Sequence, residues 1–521
     1  MRSSLIVARS VYAPGIPDAQ AVLISDGVIA WIGDRSTAQQ YRGDVANFLD
    51  FEDAFVAPGF VDAHVHLSAT GLNLLGFNAS SATSFLELAV LVNRKVLEQP
   101  TDHIYMQGWD DTNWVDDISA FISTLSVQAL DRSFYLSRVD GHSAIANGPW
   151  LEGKPQVVSG RVRESIWNDI SQSSSRELIE NCVKAALHTA ASNGVVAVHE
   201  NGGPTVSSEL DFAIVKSHSD DENQPRIHAY WADLNLEHVL ELAADGAAGD
   251  LSIDGSIGSR SAKLFESYAD ADGITGNAYL DVEQIAEHIL GTSRLGIQAG
   301  FHAIGDEACA RVHAGFALAL KKISRTEIRA SRHRIEHLSM PSLESLQLYA
   351  DLGVVASVQP SFDQAWGVPG GMYESRLGTR RLLKAHPFAE MIKNGMVLAF
   401  GSDAPVTDIK PWNWIRSATQ HNQSNQRISL RSAFHAATRG GHRAARNDDS
   451  GVIAVGAPAD LAVWNVKKFS EVQSNDTAST WSTDPRSGTH ALPDLSFGDP
   501  QCLLTLRNGR ALFDASGLLD V

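Results

Sequence analysis

Two histidines one residue apart, His64 and His66, stand in the run PGFVDAHVHL. Along an extended strand the side chains at i and i+2 point to the same face, so both imidazoles, together with Asp62, look the same way. A pair so placed can grip one metal ion at about 2.0–2.1 Å per nitrogen. By itself the pair fits an ordinary polar strand end almost as well. Three more residues shift the balance. His302 ends GIQAGFH, His337 ends RHRIEH and Asp403 ends MVLAFGSD, each at the close of an apolar run of strand length. Packing alone explains such a set poorly, because every buried polar group left unsatisfied costs roughly 1–3 kcal/mol. A divalent cation would satisfy them together. It would also lower the pKa of a bound water to about 7, which supplies hydroxide at neutral pH.

Residues so far apart in the chain meet only if a regular scaffold brings strand ends together. Eight apolar runs recur through the middle of the chain: PGFVDAHVHL, GVVAVHENGG, RIHAYWAD, LSIDGSIGS, GIQAGFHAIGD, RHRIEHLSM, VVASVQPSF and MVLAFGSDAP. Helical patterns lie between most of them, such as SRELIENCVKAALHTAASNG, which closes on Gly194, and GDEACARVHAGFALALKKI. Strands alternating with helices imply a parallel sheet, and eight repeats fit an α/β fold of the (β/α)8 TIM type, from about Pro58 to Asp449. In such barrels active sites lie at the C-terminal ends of the strands, where these polar groups fall. The stretch from Leu67 to Gly194 is too long for one crossover and must hold an insertion between the first and second strands, including GWDDTNW and FYLSRVDGHSAIANG. Both ends of the chain read as short strands broken by Gly, Pro and Asp. Segments 1–57 and 450–521 are therefore expected to build one small β-sandwich domain, with the polar stretch from Ser470 to Asp499 as a surface loop.

The composition bounds the rest. A chain of 521 residues, 44% hydrophobic and 20% charged, is globular and allows a large barrel plus a second unit. The net charge of −19 excludes the basic footprint that nucleic-acid binding needs. Cys182, Cys309 and Cys502 form no ligand-like cluster and read as small buried residues in a reducing compartment. The N-terminal MRSSLIVARSVYAPG has no apolar core of signal-peptide length, and no stretch approaches the ~18 apolar residues of a membrane span. A cytoplasmic enzyme with a small-molecule substrate and no membrane partner is expected; a homo-oligomer is compatible.

At these motifs the sequence resembles the amidohydrolase superfamily, in the branch that includes N-substituted formamide deformylase. APGFVDAHVHL matches the first-strand motif, and FHAIGDEA, RIEH, VVASVQPSF and AFGSDAPV match the fifth to eighth strands in order. GVIAVGAPADLAVW matches the return to the small sheet domain. The resemblance implies that His64 and His66, with Asp403, bind the more buried metal, and that His302 and His337 bind a second where two are present. Zinc is the expected metal, as one or two ions. Asp403 would also take the proton of the attacking water and pass it to the leaving nitrogen, which leaves poorly from an amide without one. Two departures stand out. Where relatives often carry a carboxylated Lys that bridges two metals, in K-x-x-x-D-G, this chain has Asp250, several bonds shorter. Where relatives often have Asp at the end of the second strand, it has Glu200, one methylene longer. Both Asp250 and Glu200 are candidate metal ligands, and the sequence leaves open which of them replaces that Lys; reach argues that Asp250 cannot stand where the Lys does unless the backbone moves, and that Glu200 lies closer to the centre, as a ligand or directly behind one. A single-metal site is the alternative.

Substrate contacts are expected from Arg260, which follows the fourth strand, from His142, and from Trp109. Arg138, Asp140 and Trp114 are further candidates, each equally compatible with a salt bridge or core packing. His188, His313, His421, His435 and His442 fall away from strand ends and read as structural. The expected reaction is hydrolysis of a non-peptide C–N bond in an amide, a formamide or a related group. Deamination or ring opening of a cyclic amide would use the same centre. A non-catalytic relative is disfavoured because four histidines and the aspartate are all present.

Overall fold

The computed structural model describes residues 3–16, 18–98, 103–139, 143–147, 156–159, 175–470 and 491–519. The middle of the chain forms parallel strands in two arcs. One arc has three strands in the order Arg226–Trp231, Val195–Gly202, Phe60–Val65; the other runs Gly246–Ala247, Gln298–Ala303, Arg334–His337, Val355–Val358, Val397–Phe400. Their inward and outward faces are both buried, which explains the near-continuous Val, Ala, Ile and Phe content of the runs.

The expected closed ring is open at two seams, and each seam is tied by an aspartate. At one, Asp245 donates its N–H to Ala229 O (2.8 Å) and accepts from Ala229 N through Oδ2 (2.7 Å). At the other, Asp62 accepts from Ser402 N (2.8 Å) and Ser402 Oγ (2.6 Å), beside a parallel bridge between Val65 and Ala404. Side-chain oxygens there add to the few backbone bonds that cross each seam. The fourth strand also differs from expectation. It is the pair Gly246–Ala247, and LSIDGSIGS is an irregular run joined to the fifth strand by one bridge, Ser252 to His302. Gly249, at φ 90°, turns the chain out of strand geometry just before it.

The helix Arg176–Ser192 is capped by the Ser175 hydroxyl and ends before Gly194 at φ 74°, as its sequence requires. The other helix expected by name, Asp306–Ala319, is also present.

Strands from both ends of the chain hydrogen-bond as one seven-stranded mixed sheet. Its order is Arg510–Asp514, Gln501–Arg507, Leu461–Asn465, Asn47–Pro58, Ser3–Val11, Ala21–Ser25, Val28–Gly33. Asn47–Pro58 pairs in parallel with Ser3–Val11 and antiparallel with Leu461–Asn465, so the two termini meet there. One apolar cluster joins this sheet to the parallel series, with Phe60, Trp412 and Trp464 in mutual ring contact at 5.1–5.4 Å. The insertion after the first strand forms a separate five-stranded sheet with its own core around Phe85, Trp109, Phe121 and Phe134.

Candidate metal centre

His64 and Asp403 reach the centre from the ends of the first and last parallel strands, and Asp403 N bonds His64 O at 2.8 Å. His66, just past the first strand, holds the position before the helix Leu67–Leu75. His302 lies in the fifth strand and His337 ends the sixth. His337 (φ 66°) and Asp403 (φ 53°) both hold left-handed backbone, which costs a non-glycine residue roughly 1–2 kcal/mol. The turn at His337 breaks the strand alternation, so that Glu336 and His337, though adjacent, both face inward. Backbone strain of this kind collects at functional sites.

Three groups of donors lie with their ligating atoms within 4.8 Å of one another: His64, His337 and Asp403; His64, His66 and Asp250; Asp250, His302 and His337. The five residues expected to converge do so, and Asp250 joins them. Its Oδ2 lies 3.3 Å from His64 Nε2 and 3.2 Å from His66 Nε2, while Oδ1 lies 3.8 Å from His337 Nε2. Asp403 Oδ1 is 3.4 Å from His64 Nε2 and 3.2 Å from His66 Nε2. Asp250 follows Gly249, whose positive φ takes the chain out of strand geometry. A Cβ on Gly300 of the fifth strand would stand 2.5 Å from Gly249 N, an approach only glycine permits. The reach argument against Asp250 assumed a strand backbone, and there is none here.

Glu200 belongs to none of these groups. It is buried, its Oε2 accepts the Leu67 N–H at 2.7 Å, and burial pushes its carboxyl up to about 7. Its neighbour Asp211, also pushed up by burial to about 6, is bonded by Ser68 Oγ.

The donor set suits a divalent cation. His64 Nε2 and Asp250 Oδ1 are buried without a hydrogen-bond partner. The carboxylates call for positive charge at this spot. Burial pushes the pKa of His66 down, yet its hydrogen bonds to Asp250 and Asp403 raise it to about 10. Burial opposes ionisation of Asp403 and Asp250 as well, but the His64 charge holds both carboxyls well below the usual carboxylate range. Nitrogen and carboxylate oxygen in such a mix are the usual donors for zinc and similar ions.

Several residues behind the centre escaped the sequence reading. His64 Nδ1 bonds Glu336 Oε2 at 2.8 Å, and Glu336 is gripped by Arg334 at 2.5 and 3.1 Å. Burial alone would raise the Glu336 carboxyl, but the Arg334 charge holds it down at about 2. Arg334 also donates to His199 Nδ1 (2.9 Å), Ser357 Oγ (3.1 Å) and Ala63 O (2.5 Å), linking four strands. His337 Nδ1 bonds Gln359 Oε1 at 2.8 Å. Asp254, fully buried, accepts from Ile304 N, Gly305 N and Lys263 N at 2.8–3.0 Å and so holds the loop after His302. A charged i, i+2 pair in a buried strand, Arg334 and Glu336, was the available signal.

The expected substrate contacts fare differently. Arg260 is bound to Asp270 at 3.0 and 2.8 Å, and Arg376 binds the same carboxylate. Trp109 is buried in the insertion, its Nε1 donating to Leu136 O at 2.7 Å and its ring packed on Phe85 and Trp114. Arg138 is paired with Asp110 and Asp111. His142 and Asp140 lie outside the described residues. A different set faces the centre. Ser256, Ile257, Ile304, Phe362, Trp366, Met372, Tyr373 and Val406 line a pocket of about 20 Å³ together with His337 and Asp403. The insertion reaches this wall through Val139, and Ser143 Oγ meets Ser259 Oγ at 3.2 Å.

Parallel strands alternating with helices, with polar groups gathered at the strand ends, define an α/β fold of the TIM-barrel type. The chain belongs to the amidohydrolase family, whose model matches residues 47–513. Protein LONG AFTER FAR-RED 3 from Arabidopsis thaliana is 27% identical to it, over 90% of this chain and 88% of its own length. N-substituted formamide deformylase from Arthrobacter pascens is 22% identical over 85% of this chain and 90% of its own. Among solved structures, an uncharacterized metal-dependent hydrolase from Pyrococcus furiosus has the same fold. It aligns with a TM-score of 0.69 at 22% identity and covers 88% of this chain and 98% of its own. The chain thus carries a hydrolase scaffold with His and Asp groups able to hold a metal ion. No helix among the described residues is long and apolar enough to cross a membrane.

Proposed function

We propose that this protein is a metal-dependent hydrolase that cleaves a non-peptide C–N bond in a small amide-like substrate. The observation that carries the reading is the convergence of His64, His302 and His337 from three parallel strands, and of His66, Asp250 and Asp403 from the segments that follow three strands, into overlapping donor groups within 4.8 Å. His64, His66 and Asp403 would hold one ion and His302 and His337 a second, with Asp250 between them and zinc the first candidate. A bound divalent ion supplies a fixed positive charge that polarises a substrate carbonyl and acidifies water.

The chain's own groups do the rest. Asp403 lines the substrate pocket and its carboxylate is ionised, so it can take a proton from the attacking water and deliver it to the leaving nitrogen. Phe362, Trp366, Tyr373 and Met372 give that pocket an apolar wall that excludes bulk water and offers flat contact to a substrate side group. Within the same reading, residues 58–449 form the catalytic unit and 1–57 with 450–521 the small β domain.

The test is elemental analysis of the purified protein together with turnover of a panel of N-formyl, N-acyl and cyclic amides. Bound stoichiometric metal and chelator-sensitive release of amine from one class are expected. A metal-free protein, or turnover untouched by complete metal removal, would sink the reading.

A further inference from the structure

The insertion after the first strand carries an apolar face that its own core does not use. Nine of the 24 exposed large hydrophobic side chains among the described residues fall between Leu74 and Leu130, too concentrated for singly scattered surface residues. The helix Phe85–Glu98 is the centre of that face. It turns Phe85, Leu88, Ala89, Val92 and Val96 into the core of the insertion and leaves Leu86 (49% exposed), Val90 (51%) and Leu97 (77%) on its outer side. With Asn93 the outer row runs Leu86, Val90, Asn93, Leu97, at steps of four, three and four residues. That is the heptad rhythm by which one helix seats against another. Asn93 interrupts the row without leaving a polar group bare, since its amide is spent on Thr124 O (2.8 Å) and Ser126 N (2.7 Å). The same bonds hold the turn between the helices Ile118–Thr124 and Val127–Leu130 against the row, and Ile122 and Val127, exposed on either side of that turn, widen it.

The charges beside the row say what fits it. Glu87 and Arg94 each follow a member of the row by one residue, so both stand on the same flank, one near each end. Two copies of this helix packed antiparallel about a two-fold axis set Glu87 of each copy against Arg94 of the other, giving two opposite-charge contacts around the apolar row. A parallel pair would set them against the positions of Ala89 and Val96, which are buried in the core of the insertion. Both charges are exposed: Arg94 approaches Glu98 only at 3.8 Å with its side chain 60% exposed, and Glu87 spends Oε2 on the Thr83 N–H and hydroxyl at 2.8 Å. We propose that the outer face of Phe85–Glu98 is an interface with a second copy of this chain, in which the two helices run antiparallel across a two-fold axis.

Analytical ultracentrifugation of the full chain tests it, with thermal unfolding to confirm that each variant is folded. The wild type should sediment as a dimer. Val90→Asp, at an exposed position, should weaken association by about 10-fold or more, because it places an unpaired charge at the centre of the interface. Glu87→Arg and Arg94→Glu test the orientation. Each alone sets like charges face to face and should weaken the dimer. Mixed in equal amounts, the two variants should form a heterodimer in preference to either homodimer, because every flanking contact then joins opposite charges again. A role confined to the fold of one copy gives no reason for that preference. A wild type that stays monomeric, a dimer untouched by Val90→Asp, or two charge variants with no preference for each other would overturn the proposal. A monomer that binds phosphatidylcholine vesicles through this face would overturn it too, and would turn the face toward a membrane.

Discussion

Asp250 stands between His64 and His337 with one carboxylate oxygen turned to each, Oδ2 at 3.3 Å from His64 Nε2 and Oδ1 at 3.8 Å from His337 Nε2. No other carboxylate of the donor groups appears in both the group with His66 and the group with His302. A short aspartate can do this only because the chain leaves strand geometry at Gly249. Asp250→Asn, which keeps the shape and halves the donor capacity, should therefore lower bound metal from two ions to one. Elemental analysis decides it, and full occupancy of both positions would show that Asp250 is not shared.

Asp403→Asn should reduce turnover by about 10²–10⁴-fold, the usual contribution of a positioned acid–base group. Thermal unfolding should change little. Metal content has to be followed alongside, because the same oxygen approaches His64 and His66. A variant that keeps its metal and near-normal kcat would assign proton transfer to another group.

Glu200→Gln is expected to leave metal stoichiometry unchanged. Its Oε2 is spent on the Leu67 N–H, a bond the amide oxygen of Gln can also accept. Stability should shift by no more than about 1 kcal/mol, the net value of one hydrogen bond. Loss of an ion would make Glu200 a ligand after all.

Gly300→Ala would place a Cβ 2.5 Å from Gly249 N and 2.8 Å from Ala248 Cβ. Overpacking of this kind costs typically about 1–3 kcal/mol. The strain falls on the segment that carries Asp250, so metal content should drop together with Tm. A lowered Tm with metal fully retained would disconnect Gly300 from the centre.

Away from the centre, His333 Nδ1 accepts the Ala299 N–H at 2.9 Å and Nε2 bonds Ser293 Oγ at 2.9 Å, so the folded protein holds the neutral ring. Burial lowers its pKa from 6.5 to about 3. Below the unfolded value the unfolded chain takes up a proton that the folded chain refuses. The stability this ring contributes is therefore complete above pH 6.5 and declines toward pH 3, at up to about 1.4 kcal/mol per pH unit. His333→Asn should flatten that part of the Tm-against-pH curve; an unchanged slope would rule the residue out as its source.

The two kinds of information divide along a physical line. Alternation of apolar runs with amphipathic helices is a local pattern, and it determined the parallel series, both named helices and the meeting of the terminal strands in one sheet. The ends of apolar runs are local as well, which is why His64, His66, His302, His337 and Asp403 could be picked out without coordinates. What depended on how far apart two backbones lie could not be read locally. The expected fourth strand ends early where Gly249 takes positive φ beside Gly300, whose Cβ would meet Gly249 N at 2.5 Å, and the course of the backbone there, not side-chain length, places Asp250 among the histidines. Arg260 and Trp109 have residue types suited to binding, yet their partners Asp270 and Leu136 are set by packing that no short window of sequence contains. Glu336 shows the same limit: its place beside His337 in RIEH was visible, but the ring it supports is His64, 272 residues away, and only the tertiary arrangement of the strands brings the two within 2.8 Å.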